Sequence, residues 1–282
     1  MPLPTIEKTP VLFNRVPKVT VDFWLIKLMA VTMGETAADY LAVNLGLGLT
    51  TTSVIMSAIL GIALVLQFGQ KKYVPWAYWL AVVLISIVGT LVTDNLVDNF
   101  GVPLTITTIV FTVALVATFA LWYRAEGTLS IHTIFTTRRE AYYWLAILFT
   151  FALGTAAGDL VAERFELGYL TTGLLFGAVI AAVAALYYAF KISSILSFWL
   201  AYIFTRPLGA SFGDLLSQPT EYGGFGFGTV MTSLLFLAVI LAIVAYMTVT
   251  HEGEEKSSDA ADEGDVAETA PAEMFQAPRV DE

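Results

Sequence analysis

Long runs of apolar residues alternate with short polar segments along most of this chain. Stretches such as Ser53–Phe68 and Leu104–Tyr123 carry no charged residue at all. A soluble helix turns a polar face outward every three or four residues, and these segments do not, so they read as membrane-spanning helices. The pattern predicts eight helices, at about 22–43, 51–69, 76–97, 104–123, 141–162, 171–190, 196–216 and 228–248. Each is close to the ~20 residues that a bilayer requires. The expected fold is therefore all-α, a polytopic membrane protein.

The eight segments are four copies of one hairpin. Trp24, Trp79, Trp144 and Trp199 each precede an Asp by fifteen residues: Asp39, Asp94, Asp159 and Asp214. Gly34, Gly89, Gly154 and Gly209 lie five residues before the same Asp, and each second helix opens on a Thr-rich turn. Hydroxyls there suit helix N-caps. Recurrence at this period marks repeat architecture. The boundaries follow as an N-terminal arm (1–21), repeats at 22–76 and 77–131, a loop at 132–140, repeats at 141–194 and 195–250, and a tail at 251–282. Two helices per copy make the repeats parallel, related by axes along the membrane normal.

Stepping back in fours from each Asp keeps to one helix face. That stripe collects the other charges buried in the odd-numbered helices: Lys27 and Glu35 in the first copy, Arg206 in the fourth. Gly34 with Ala38, Gly89 with Thr93, Gly154 with Gly158 and Gly209 with Gly213 form small-xxx-small pairs beside it, which let helices approach closely in lipid. The odd helices are therefore expected around an axis, with the even helices outside. The opening Trp of each copy is assigned to an interfacial belt.

Charge sets the orientation. Lys8, Arg15, Lys18, Lys71, Lys72, Arg124, Arg138, Arg139 and Lys191 flank the helix ends on one side, and Arg164 alone lies in the opposite loops. The positive-inside rule then puts both termini in the cytoplasm, with the chain in the plasma (inner) membrane. The first twenty residues hold Pro2, Pro4, Pro10 and Pro17 and no apolar core, so no removable signal is expected. The net charge of −10 belongs mostly to the tail, which has eleven acidic residues and too few apolar ones to pack, and reads as disordered.

With no Cys, and only His132 and His251, thiol chemistry and His-ligated centres within the bilayer are excluded. No nucleophile–base set and no basic face for nucleic acid is present, so neither an enzyme nor a nucleic-acid binder is expected. No cofactor is called for. The bilayer is the obligatory partner, and self-association into a homo-oligomer is compatible with the chain.

A carboxylate in an apolar helix costs ~2.5–3.5 kcal/mol on insertion scales. Four at one level imply a shared role, and two readings stand. In the first, Asp39, Asp94, Asp159, Asp214 and Glu35 line a path for a small cation, as oxygen ligands to a divalent metal or as a proton relay, with Arg206 and Lys27 pairing or gating. In the second, each Asp pins its own hairpin, accepting from the Thr-rich turn or from the next helix's free N–H groups, and the protein is a non-transporting scaffold or stress-related protein.

The repeated Trp…Gly-x4-Asp…Thr-Thr hairpin, best kept in Val31–Thr52 (VTMGETAADYLAVNLGLGLTTT), resembles the bacterial membrane proteins built from a repeat of unknown function, DUF347. The resemblance covers about 22–250, although copies two to four lack the Glu that follows the glycine in Gly34-Glu35. It implies the repeat count and membrane location, and no substrate.

Overall fold

The computed structural model describes residues 13–268. Lys8 and the rest of 1–12, and the tail from 269 to 282, lie outside them. Among the described residues the chain is helical, in eight long helices. These are α1 (Val21–Asp39), α2 (Leu49–Phe68), α3 (Pro75–Asp94), α4 (Leu104–Glu126), α5 (Thr137–Asp159), α6 (Gly168–Phe190), α7 (Ser194–Ser217) and α8 (Thr229–Glu268). Their starts follow local chemistry. Thr20, Thr136 and Ser193 accept from the N–H groups of Phe23, Arg139 and Leu196, and Pro75 opens α3, where no backbone donor is needed.

Six of the eight helices are long and apolar enough to cross a membrane. The other two, α1 and α7, carry Lys27, Glu35 and Arg206, and those charges are enclosed by neighbouring helices. The even helices are outer elements: the apolar windows of α2 and α4 are each 22% buried, against 72% for α3. Their outward faces are apolar, with Val54, Ile62, Val65, Val113, Leu174 and Leu234 exposed. A soluble protein does not leave such a surface bare, and a lipid-embedded one requires it.

The central helices form a closed ring in the order α1, α3, α5, α7. Each outer helix packs chiefly on the central helix of the following copy: α2 on α3, α4 on α5, α6 on α7, and α8 back on α1. Hydroxyl and amide side chains fasten these joints. Thr50 and Ser53 of the first copy bond to Asn95 of the second, and Thr36 Oγ1 lies 2.7 Å from Ser233 Oγ where the last copy returns to the first.

The glycines set the spacing of the ring. A Cβ on Gly34 would overlap Ser86, one on Gly89 would meet Phe151, one on Gly154 would overlap Arg206, and one on Gly209 would overlap Val31. In each case the intruding residue lies eight positions before the Asp of the next copy. One contact is thus repeated four times around the axis, which gives the small-residue pairs their reason.

Two expectations change. Trp79, Trp144 and Trp199 are buried rather than lipid-facing, because each indole N–H has an inward partner: the Tyr73 hydroxyl, Glu140 Oε1 and the Leu129 carbonyl. Trp79 and Trp199 tether loops of one end and Trp144 braces the buried Glu140 of its own helix, instead of forming a belt. The stretch 251–268, read as part of a disordered tail, continues α8 as helix, which its Glu and Ala content favours.

Gly89→Ala and Gly209→Ala are expected to destabilise the protein by about 1–3 kcal/mol each through overpacking. Gly61→Ala, which meets nothing within 4 Å, should be neutral or gain up to ~1 kcal/mol of helix propensity. Unfolding in detergent–denaturant mixtures measures this. A Gly89→Ala protein as stable as wild type would contradict the interlock.

Candidate functional site

The stride-four stripe of each central helix faces the ring axis and builds it up in layers. The outermost layer is Asp39, Asp94, Asp159 and Asp214. All four are half-buried, and three of them (Asp39, Asp94, Asp159) close their α-helices just before a turn of π-helix, at 40–44, 95–99 and 160–164. In α7 the α-helix runs on past Asp214 to Ser217. The wider π-turn re-aims the residues around each Asp, and such turns favour functional positions. Asp39, Asp94 and Asp214 make no hydrogen bond to their own Thr-rich turns among the described residues. The turns after Asp39 and Asp214 instead bond to the next copy, Thr50 with Asn95 and Asn99 and Thr229 with Asn44, while Thr107 and Thr108 after Asp94 bond back to Pro103 and Leu104. The Asp carboxylates lie within electrostatic range of one another and of Glu35.

One turn deeper lie Glu35, Thr90, Thr155 and Ala210, and below them Val31, Ser86, Phe151 and Arg206. The Arg206 side chain reaches up one layer. Its Nη2 donates to Glu35 Oε2 at 2.8 Å, to Thr155 Oγ1 at 2.7 Å and to Thr90 Oγ1. Thr90 also donates to Glu35 Oε2 at 3.2 Å. A single guanidinium nitrogen from the fourth copy thus joins the equivalent residues of the other three, and only Ala210, on its own helix, takes no part. Arg206 is fully enclosed and Glu35 is 6% exposed, so the ion pair is held away from water, where one partner without the other would be strongly unfavourable.

The fourth layer holds Lys27, Val82, Ile147 and Tyr202. Lys27 Nζ donates to the Tyr202 carbonyl at 2.8 Å and lies 3.9 Å from the centroid of the Tyr202 ring. The fifth layer is aromatic: Phe23, Tyr78, Tyr143 and Phe198. The Tyr78 and Tyr143 hydroxyls are 2.5 Å apart.

The end beneath is closed by the N-terminal arm. Asn14 binds the Ile131 carbonyl and accepts from the Ile134 N–H, while Arg15 pairs with the fully buried Glu140 at 2.7 Å. Gln67 and Trp144 donate to the other oxygen of that carboxylate.

The structure therefore brings Glu35, Arg206 and Lys27 onto one axis with the four Asp above them. It does not gather a metal cage: among the described residues no group of three or more His, Cys, Asp or Glu could hold an ion. Glu35 is already engaged by Arg206. Glu140 and the Tyr78–Tyr143 pair went unrecognised in the sequence. The tyrosines are one further step of four along the same stripe, so extending it would have found them. Glu140 had no such signal, since its burial depends on an arm more than a hundred residues away.

A family profile described as Repeat of Unknown Function (DUF347) matches residues 23–73, 77–128, 142–193 and 197–252. No curated protein and no solved structure matches the chain.

Thr155→Val, which keeps the shape and removes the acceptor for Arg206, is expected to cost about 1.5–3 kcal/mol, the range for a buried hydrogen bond to a charge. Thr112→Val, whose hydroxyl serves only its own helix at an exposed position, should change stability by less than about 0.5 kcal/mol. Equal effects in the two variants, read by denaturant unfolding, would contradict the network.

Proposed function

The chain belongs to the family built from the DUF347 repeat, and we propose that it is a transporter or channel for a small cation, proton-coupled, with its path along the ring axis. The supporting observation is the position of the Arg206–Glu35–Thr90–Thr155 knot. It lies at the point where all four copies converge, with a rim of carboxylates on one side and lysine and tyrosine hydroxyls on the other. Carboxylates, hydroxyls and an ion pair in sequence along an axis are the groups from which intramembrane proton relays are made. Asp39, Asp94, Asp159 and Asp214 form the vestibule in this reading. Arg206 and Glu35 form the closed gate, and opening requires their separation. A divalent ion is the weaker choice of cargo, because no three carboxylates are gathered at ligand range.

A second reading has its own support. The glycine interlock and the knot close the axis tightly and hold four copies together, which also suits a scaffold that transports nothing. Orientation belongs to the proposal as well. The loop end that carries Arg15, Lys71, Lys72, Arg138 and Arg139 faces the cytoplasm of the inner membrane.

Proton and cation flux in proteoliposomes separates the readings. Asp39→Asn and Asp214→Asn should lower the flux at least tenfold, the factor that about 1.4 kcal/mol in a barrier represents, with little change in melting temperature. No flux in the wild type, together with lower melting temperatures in the variants, would favour the scaffold. The Cys-free chain also permits a clean labelling test of orientation. Phe165→Cys should react with an impermeant maleimide from outside cells, and Lys71→Cys only after lysis. The reverse pattern would invert the topology.

A further inference from the structure

Below the rim of aspartates, positive charge exceeds negative charge on the ring axis. Lys27 and Arg206 are both fully enclosed, and one carboxylate, Glu35, is paired with them, through Arg206. The two cations share a wall: Lys27 Nζ lies 5.7 Å and Arg206 Cζ 5.6 Å from the centroid of the Phe151 ring. Lys27 has a backbone carbonyl and two aromatic faces around it and no carboxylate among the contacts of its ammonium. On its own helix Glu35 is eight residues away and Asp39 twelve. At 1.5 Å per residue these lie ~12 and ~18 Å along the axis, on the far side of the knot.

Donors are also left over. Arg206 uses Nη2 for Glu35 and both threonines, while its Nε and Nη1 are buried without a hydrogen-bond partner among the described residues. The Tyr202 hydroxyl in the next layer is likewise unpartnered. Buried donors are almost always satisfied in native proteins, and an uncompensated buried ammonium either gives up its proton or takes a counter-ion. A guanidinium has no such release, because it cannot be deprotonated.

We propose that Lys27 and Arg206 bind one small monovalent anion, of the halide or nitrate class, on the ring axis on the cytoplasmic side of Glu35. Below the aspartate rim two cations face one carboxylate, and the one positive charge left over there sets the valence. The close approach of α5 and α7 at Gly154 and of α3 and α5 at Gly89 sets the size, since neither contact leaves room for a bulky ligand. Arg206 would then bridge Glu35 on one side and the anion on the other. The site goes beyond the transport reading and does not depend on it: it follows from charge balance and unpaired donors whether or not ions cross.

The test uses the full-length protein in detergent. Its thermal unfolding is compared in sodium bromide and sodium gluconate at equal ionic strength, and a crystal grown in bromide is examined for anomalous scattering. The wild-type midpoint should rise with the logarithm of bromide concentration and not with gluconate. Lys27→Met should remove the dependence, Lys27→Arg should keep it, and a bromide peak should lie within hydrogen-bond reach of Lys27 Nζ and the Arg206 guanidinium. The same midpoint in both salts, an undiminished slope in Lys27→Met, or water alone on the free donors would overturn the proposal. The wild-type bromide map decides the matter even where Lys27→Met does not fold.

Discussion

A guanidinium on the axis of a membrane bundle is the constraint around which the rest of this structure is arranged. Arg206 cannot lose its charge and cannot reach water, so its surroundings must supply both a countercharge and acceptors. They come from three different copies of the repeat: Glu35 from the first, Thr90 from the second and Thr155 from the third. No single hairpin could satisfy it. The interaction therefore stabilises the assembled ring and not its parts, and it breaks the fourfold symmetry at the one place where the four helices meet.

The symmetric features make that meeting possible. A glycine in every copy lets the next helix come close enough to share acceptors, and each outer helix leans on the following central helix, so the copies interlock in one direction around the ring. Beyond that shared frame the copies diverge. The layer that holds Arg206 in the fourth copy holds Val31, Ser86 and Phe151 in the others, and the N-terminal arm covers one end without any counterpart in the later copies. A repeat that retains its glycines and aspartates while varying the residues between them keeps a common scaffold and builds one asymmetric centre inside it.

Much of this was legible in the sequence because membrane helices carry strong local signals. Charge-free runs of ~20 residues mark the spans, and fixed Trp–Gly–Asp spacing marks the repeat. The inward stripe was legible for a physical reason: in an apolar helix a charge must face protein, so Lys27, Glu35 and Arg206 on one face announce an axis. What the pattern could not give were the cross-copy details. Trp79, Trp144 and Trp199 look like interfacial anchors by depth alone, and their burial goes with the Tyr73 hydroxyl, a Glu140 that is itself buried under the N-terminal arm, and the Leu129 carbonyl of a distant loop. Asp39, Asp94 and Asp214 do not bond to their own Thr-rich turns, because Thr50 and Thr229 are taken up by the neighbouring copy and Thr107 and Thr108 by their own helix. The burial of Glu140 under Arg15 is a long-range pairing with no periodic trace.

The most direct measurement of the central claim is a double-mutant cycle on Glu35 and Arg206, read by unfolding in mixed detergent. Glu35→Leu alone leaves a buried cation and Arg206→Met alone a buried carboxylate, so each should cost about 3–5 kcal/mol. The double variant should recover much of that loss, with a coupling energy on the order of 2–3 kcal/mol. Additive losses, or single variants as stable as the wild type, would show that the ring does not depend on this pair.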